Sequence, residues 1–322
     1  MRKIIFEQYG GPEVLTYVEE EIPKIKENEI LIKVENFSVN YADVKKRTGK
    51  KAKGKFPMEL GLDVAGVVQK VGGYVKKLNV GDRVVAFPKK GSYSEYVVAD
   101  ENLVFKMPKE LSFEQGAAAL TVSFLGYILV NKLIEIDKSS FVIVHAASGG
   151  VGTTILQLLD LSGIENVIGV TSTKEKFPIL KKYGAKYTFT YEEFQEESLK
   201  ITQNKGVDIV FDSVAGEVTR KSLNCLKEYG KIVQFGNSSG ERATFNNTDF
   251  HSSCRSIIGF SLGTTRKLRP DYIQSIATEV LELLASGKVK VHIENVLNFD
   301  SIIEAHKIIE NRNHVGKVLI EF

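Results

Sequence analysis

Short apolar runs dominate the first hundred residues. KIIF, EILIKVEN, VAGVVQKV, DRVVAF and YSEYVVA each have strand length, and glycine and proline interrupt them at 10–12, 72–73 and 81–82. Runs of this kind, cut by turn residues, predict a mainly antiparallel, loop-rich unit. Near residue 117 the pattern changes, and AAALTVSFLGYILVNKL has the length and spacing of a buried helix. Strands and helical stretches then alternate. FVIVH (141–145) precedes a helix near 151–162, VIGVT (167–171) one near 174–183, YTF (187–189) one near 193–204, and DIVFDS (208–213) one near 217–227. KIVQFG (231–236) and SIIGFSL (256–262) complete six strands. Six apolar strands joined by crossover helices predict a doubly wound parallel sheet. After an amphipathic helix at 270–286, the closing strand KVLIEF returns to the first texture. The chain is therefore expected to be α/β, with one domain from residues 1–118 and 265–322 and another from 119–264.

The 322 residues are 43% hydrophobic and 26% charged, with a net charge of +3, enough for two cores and too little charge for a nucleic-acid footprint. Basic residues are mixed with acids, as in EEFQEESLK, so no nucleic-acid partner is expected. The basic stretch KKRTGKKAKGK (45–55) reads as a solvated loop. Cys225 and Cys254 have no paired spacing, which excludes a cysteine-rich zinc lobe and a disulfide framework. MRKIIFEQYGG has too short an apolar stretch for a signal peptide, and no run approaches a membrane span. A cytoplasmic protein without a membrane partner is expected.

HAASGGVG (145–152) lies between a predicted strand and a predicted helix. Gly149 and Gly152 have the spacing of the second and third glycines of a dinucleotide turn, while Ala147 stands where the first is usual. A glycine at 149 lets main-chain amides approach a diphosphate, and one at 152 lets the helix pack close to the sheet. Alanine serves at 147 if the turn needs no positive φ there. The second strand ends VIGVTSTKEK, so Thr171, Ser172 and Thr173 stand where an NAD site usually carries an acid. Hydroxyls with Lys174 or Lys176 suit a 2′-phosphate, which points to NADPH; Glu175 is the acid that argues the other way.

Several stretches together resemble the zinc-independent quinone oxidoreductase branch of the medium-chain dehydrogenase/reductase superfamily. They are GGPEVL (10–15), ENFSVNYADVKKRTG (35–49), LGLDVAGVV (60–68), VGDRVVAF (80–87), HAASGGVG and FGNSSG (235–240). The resemblance covers essentially the whole chain. It implies a GroES-like catalytic domain from both chain ends, a Rossmann domain between them, and a homodimer. Zinc-dependent relatives bind their catalytic metal through a Cys before an Asp and a His in Gly-His-Glu. This chain has Asn40 and Leu62 at those positions, so no metal is expected. His145 and His251 read as structural.

Carried over residue by residue, the resemblance assigns Ser148, Gly149, Gly150, Val151 and Gly152 to the diphosphate turn. It assigns Ser172, Lys176, Tyr191 and Arg312 to the 2′-phosphate end. Gly236, Asn237 and Ser238 fall beside the ribose and nicotinamide, and Ser261 and Leu262 beside the carboxamide. The implied activity is NADPH-dependent, metal-free hydride transfer to a quinone or a related enone, in a cleft between the domains. Asn40, Tyr41 or a water is expected to hold the acceptor oxygen, Thr121 to face the nicotinamide, and Asp43 to orient its loop. Lys45 and the following basic loop replace aromatic residues found there in some relatives. Two rival readings remain: an enoyl-thioester reductase, or an NADPH-binding protein without catalysis.

Overall fold

β-Branched and aromatic residues at alternate positions build the first unit. Its strands are β1 (Arg2–Phe6), β2 (Thr16–Glu19) and β3 (Glu29–Val39), then, after helix α1 (Tyr41–Arg47), β4 (Met58–Glu59), β5 (Val64–Val71), β6 (Arg83–Ala86), β7 (Tyr96–Asp100) and β8 (Val104–Lys106). The structure, a computed structural model, describes residues 1–51 and 54–322; Ala52 and Lys53 of the basic stretch lie outside the described residues. Helix α1 was not anticipated from the sequence. The Asp43 carboxylate accepts from the Asn40 N–H at 2.9 Å, one half of a capping box that turns the end of β3 directly into a helix.

Helix α2 (Phe113–Asn131) follows. By length and composition it suffices to span a membrane, contrary to the expectation that no run approaches one; 72% of its apolar window is nevertheless buried within the protein.

The second unit then alternates in one direction: β9 (Phe141–Val144), α3 (Gly150–Leu161), β10 (Asn166–Thr171), α4 (Phe177–Lys182), β11 (Tyr187–Thr190), α5 (Phe194–Ile201), β12 (Val207–Asp212), α6 (Glu217–Asn224), β13 (Leu226–Gln234), α7 (Thr248–His251) and β14 (Ser256–Gly259). The six strands pair in the order β11-β10-β9-β12-β13-β14, all parallel. Val142, Ile143 and Val144 are all fully buried, as expected of a strand covered by helices on both faces. The chain order reverses between β9 and β12, and such a switch point is where nucleotides bind in open parallel sheets.

Helices α8 (Leu262–Leu268) and α9 (Pro270–Ala285), strand β15 (Ile293–Asn298), helix α10 (Ile302–Asn311) and strand β16 (Lys317–Glu321) end the chain. β16 pairs antiparallel with β3, opposing Val318 to Val39 and Ile320 to Phe37, and so joins the C-terminus to the first unit. The seven-stranded sheet runs β15-β16-β3-β5-β6-β8 with β7 on β3, and a smaller sheet runs β2-β1-β4. Only β15 and β16 are parallel there, so the GroES-like, mainly antiparallel expectation holds beside the Rossmann sheet. The two compact units are residues 1–124 with 264–322, and residues 125–263.

Candidate functional site

The turn after β9 is built around a left-handed residue. Ala146 carries φ of 48°, while Ala147 does not have a positive φ, so alanine meets the conformational demand at 147. The Tyr191 hydroxyl accepts from the Ala146 N–H at 2.8 Å, and its ring stacks on His145 with centroids 5.8 Å apart. Tyr191, assigned to the phosphate end, therefore reaches back to buttress the turn itself. His145 is fully buried; burial pushes its pKa down to about 4, and its Nε2 lies 2.7 Å from the Ser222 hydroxyl.

Helix α3 starts at Gly150 with Gly149 as its cap. The N–H groups of Gly150, Val151 and Gly152 have no partner among the described residues, so the first turn presents three amides and the positive end of a twelve-residue helix dipole. A Cβ at Gly152 would stand 2.4 Å from the Ala146 carbonyl oxygen and 2.6 Å from the Ala147 Cα. Only glycine lets the helix lie so close to the turn. A Cβ at Gly149 would meet one atom, the same oxygen at 3.3 Å, and otherwise open space. The Ser148 hydroxyl lies 3.0 Å from that of Thr171, tying the turn to the end of β10.

The other assigned residues of this unit follow the carboxyl ends of successive parallel strands. Ser172 and Lys176 come after β10, Tyr191 after β11, Gly236, Asn237 and Ser238 after β13, and Ser261 and Leu262 after β14. One edge of one sheet thus collects them. Beyond β10, the Lys174 ammonium lies 3.6 Å from Glu193, Lys176 is half-buried, and a hydrogen bond from Thr173 holds the Glu175 carboxyl below its usual range. Asn237 shapes its own loop: its side chain donates to the Glu241 carbonyl at 3.1 Å and accepts from the Gly240 N–H at 2.7 Å. Gly236 approaches the Ser213 backbone, where a Cβ would stand 2.8 Å from the carbonyl oxygen. Asp212, which sequence reasoning missed, is fully buried and accepts from the N–H groups of Val214 and Ala215, fixing the neighbouring loop.

In the first unit, Asn40 and Thr121 both belong to a buried polar cluster. The Asn40 Nδ2 donates to Asp63 at 3.2 Å and to the Ser38 hydroxyl at 3.1 Å, and its Oδ1 accepts from Lys317 at 2.6 Å. Asp63 also accepts from the Ser38 hydroxyl at 2.6 Å and from the Thr121 N–H at 3.2 Å. The Thr121 hydroxyl is buried and has no partner among the described residues. Burial lowers the Lys317 pKa, while Asp63 and Asp43 draw it back up. Arg266 donates to the Leu62 carbonyl at 3.1 Å and lies over the Phe87 ring. Neither Lys317 nor Arg266 stood out in the sequence. Lys317 opens a strand that carries a second charge at its other end, Glu321, and Arg266 sits in a polar helix.

Asp43 takes the orienting role expected of it. It accepts from Asn40, from the Gly61 N–H at 2.8 Å and from the Tyr93 hydroxyl at 3.2 Å. Behind Tyr93, His306 Nε2 lies at 3.1 Å, and its Nδ1 faces Arg47 at 2.8 Å. Burial and the Arg47 charge push the His306 pKa down to about 3, so the ring is neutral: Nδ1 accepts from Arg47 and Nε2–H donates to Tyr93. Arg312 also belongs to the first unit, where its guanidinium donates to the Tyr41 hydroxyl and covers that ring at 4.9 Å. No group of three His, Cys, Asp or Glu suited to a metal occurs among the described residues.

Comparison with known proteins agrees with this arrangement. Residues 26–109 match the family model for the alcohol dehydrogenase GroES-like domain, and residues 150–286 match that for zinc-binding dehydrogenases. Quinone oxidoreductase 1 of Escherichia coli is 34% identical over 99% of this chain and 98% of its own length. A quinone oxidoreductase of Pseudomonas aeruginosa is 31% identical over 99% of both. The crystal structure of Escherichia coli quinone oxidoreductase complexed with NADPH covers all of both chains at 32% identity, with a TM-score of 0.94. On its full length, therefore, the chain belongs to the quinone oxidoreductase type of the medium-chain dehydrogenase/reductase superfamily.

Proposed function

We propose that this protein uses NADPH to reduce quinones or related α,β-unsaturated carbonyls. The observation that carries the reading is the helix α3 terminus: three amides without partners among the described residues, a glycine at 149 whose Cβ would meet a single atom, and a second strand followed by hydroxyls. Full-length relatives named quinone oxidoreductases support it.

NADPH, when bound, supplies a hydride to an electrophilic acceptor carbon. Ser148, Gly149, Gly150, Val151 and Gly152 would hold its diphosphate, and Ser172, Lys176, Tyr191 and Arg312 its 2′-phosphate end. Gly236, Asn237, Ser238, Ser261 and Leu262 would serve the ribose and nicotinamide. The acceptor residues are Asn40, Tyr41 and Thr121, in distinct roles. The Thr121 hydroxyl, buried and without a partner among the described residues, is a free donor to an acceptor carbonyl. Asn40 has its oxygen committed to Lys317, so it organises the cluster and offers only Nδ2. Tyr41 is held by Arg312.

One family model is named for zinc, and the residues here do not fit it. Asn40 points its oxygen at an ammonium group, and Leu62 supplies no donor atom. A homodimer rests on the family resemblance, and light scattering tests it; cell fractionation tests the cytoplasmic location expected from the sequence.

A panel of quinones, enones and crotonyl thioesters at fixed NADPH tests the activity. Turnover fastest on quinones or enones supports the reading. Preference for the thioester would move it to enoyl reduction, and tight NADPH binding without any turnover would refute catalysis.

A further inference from the structure

The first unit contains a cavity of about 480 Å³, the size of a small-molecule site. Its walls are cationic: Lys46, Lys55, Lys89, Lys90 and Arg266 face a single acid, Glu59. The local acids neutralise these charges only in part. Glu59 lies 2.8 Å from Lys3, which leaves it 3.9 Å from Lys90. Lys89 pairs with Glu29 at 2.5 Å. Lys46 donates to the Glu59 carbonyl oxygen at 2.6 Å and Arg266 to the Leu62 carbonyl at 3.1 Å, contacts with dipoles rather than charges. Among the described residues, Lys46, Lys55 and Arg266 have no carboxylate within ion-pair distance. Burial lowers the pKa of both Lys46 and Arg266, the signature of cations that have lost water without gaining a full counter-charge. Gly61 and Leu62 also line the space, and the next residue, Asp63, holds Asn40 and Thr121. The cavity wall thus ends one residue along the chain from the carboxylate that holds Asn40 and Thr121, and Lys46 and Lys55 of the basic 45–55 stretch line it.

We propose that this cavity binds an anionic group carried by the acceptor, so that the preferred substrates are quinones or enones bearing a carboxylate, sulfonate or phosphate. The inference rests on the reductase reading and narrows its substrate class. The cations raise the local concentration of such acceptors and hold them by charge-assisted hydrogen bonds, while a neutral quinone gains neither.

The test compares ortho-naphthoquinone with its ring-sulfonated derivative at saturating NADPH. It uses the wild-type protein and the double variant Lys55→Gln, Lys90→Gln, whose exposed side chains can change without disturbing the core. The quantity read is the ratio of the two kcat/KM values, which cancels the intrinsic reactivity of each ring between proteins. The ratio is expected to fall about tenfold in the variant, and several-fold in wild type on moving to high salt. A ratio unmoved by both changes overturns the proposal. If neither quinone is reduced, the reductase reading fails; calorimetry with naphthalene sulfonate, which needs no turnover, then decides the cavity alone. Binding lost in the variant supports an anion site, and equal heats in both proteins refute it.

Discussion

Alanine placed at Gly149 and at Gly152 should produce opposite defects, although the two positions are one helical turn apart. At Gly152 the added Cβ falls 2.4 Å from the Ala146 oxygen and 2.6 Å from the Ala147 Cα. That is roughly 1 Å inside ordinary contact, and both neighbours are main chain, so no side chain can swing away. Helix α3 must back off from the turn, at about 1–3 kcal/mol for overpacking, which lowers Tm by several degrees. At Gly149 the backbone is extended, with φ of −79° and ψ of 169°, a conformation open to any residue. The single contact at 3.3 Å asks for a shift of a few tenths of an ångström, and alanine for glycine at a helix cap costs roughly 1 kcal/mol or less. The fold accepts that methyl; a diphosphate seated on the α3 amides, as proposed, would not. Losing one amide–phosphate hydrogen bond, about 1.5–3 kcal/mol with a charged acceptor, weakens NADPH about ten- to a hundredfold. Thermal unfolding of the apoprotein and calorimetric titration with NADPH read the two effects separately. Native NADPH affinity in Gly149→Ala, or an unchanged Tm in Gly152→Ala, would refute the reasoning.

Lys176→Ala should weaken NADPH by about tenfold while leaving NADH nearly unaffected, since only the former carries the 2′-phosphate; equal losses on titration with both would remove Lys176 from that role. Lys317→Met leaves buried Asp63 and Asp43 without their nearest ammonium and should cost about 3–5 kcal/mol in urea unfolding; a loss under about 1 kcal/mol would show that Arg266 alone balances the cluster. Stability should also fall in mild acid. His306 and His145 are held near 3 and 4 in the folded protein against an ordinary value of 6.5, so the unfolded chain takes up protons first. Their contribution is complete above about pH 6.5 and is lost as pH falls toward 4 and then 3, at up to about 1.4 kcal/mol per pH unit for each histidine. Urea midpoints measured down this range should drop, and less steeply in His306→Asn; parallel curves for the two proteins would contradict a neutral, buried His306.

The parts of the site that depend on backbone were legible in the sequence, and the parts that depend on long-range side-chain charge were not. Glycine at 149 and 152, a strand ending in Thr171, and the alternation of strands with helices all express local rules of spacing and sterics. They placed the start of helix α3 within a residue of its observed position. Tyr191 was assigned to a ligand, but it also bonds the Ala146 N–H across 45 residues of sequence, a contact set by the neighbouring positions of β9 and β11 in the strand order. Helix α1 escaped notice because YADVKKR is too short and too polar to show helical periodicity; the capping box between Asn40 and Asp43, not a hydrophobic face, starts it. Lys317, Arg266 and Arg47 are buried or half-buried cations whose partners lie hundreds of residues away, and no window of sequence shows that pairing.

Those cations follow from what the first unit keeps as well as from what it lacks. Asp63 and Asp43 lie in the interior, where burial raises the pKa of Asp43, yet Asn40 and Leu62 provide no ligands for a metal that would offset their charge. Two carboxylates so placed, each stripped of water, are costly unless positive charge and donors surround them. Lys317 meets that need from β16, Arg266 from α8, and the N–H groups of Asn40, Gly61 and Thr121 supply fixed dipoles. The arrangement also locks Asn40: with its oxygen bound to an ammonium and its nitrogen to a carboxylate, only one amide orientation satisfies both. The Thr121 hydroxyl, on the same carboxylate's flank, is one of the unit's buried hydroxyls left without a partner among the described residues, with those of Ser92 and Ser123. The charge balance that commits Asn40 on both sides therefore leaves the Thr121 hydroxyl uncommitted beside Asp63, which is what supports Thr121 over Asn40 as the proposed donor to an acceptor oxygen.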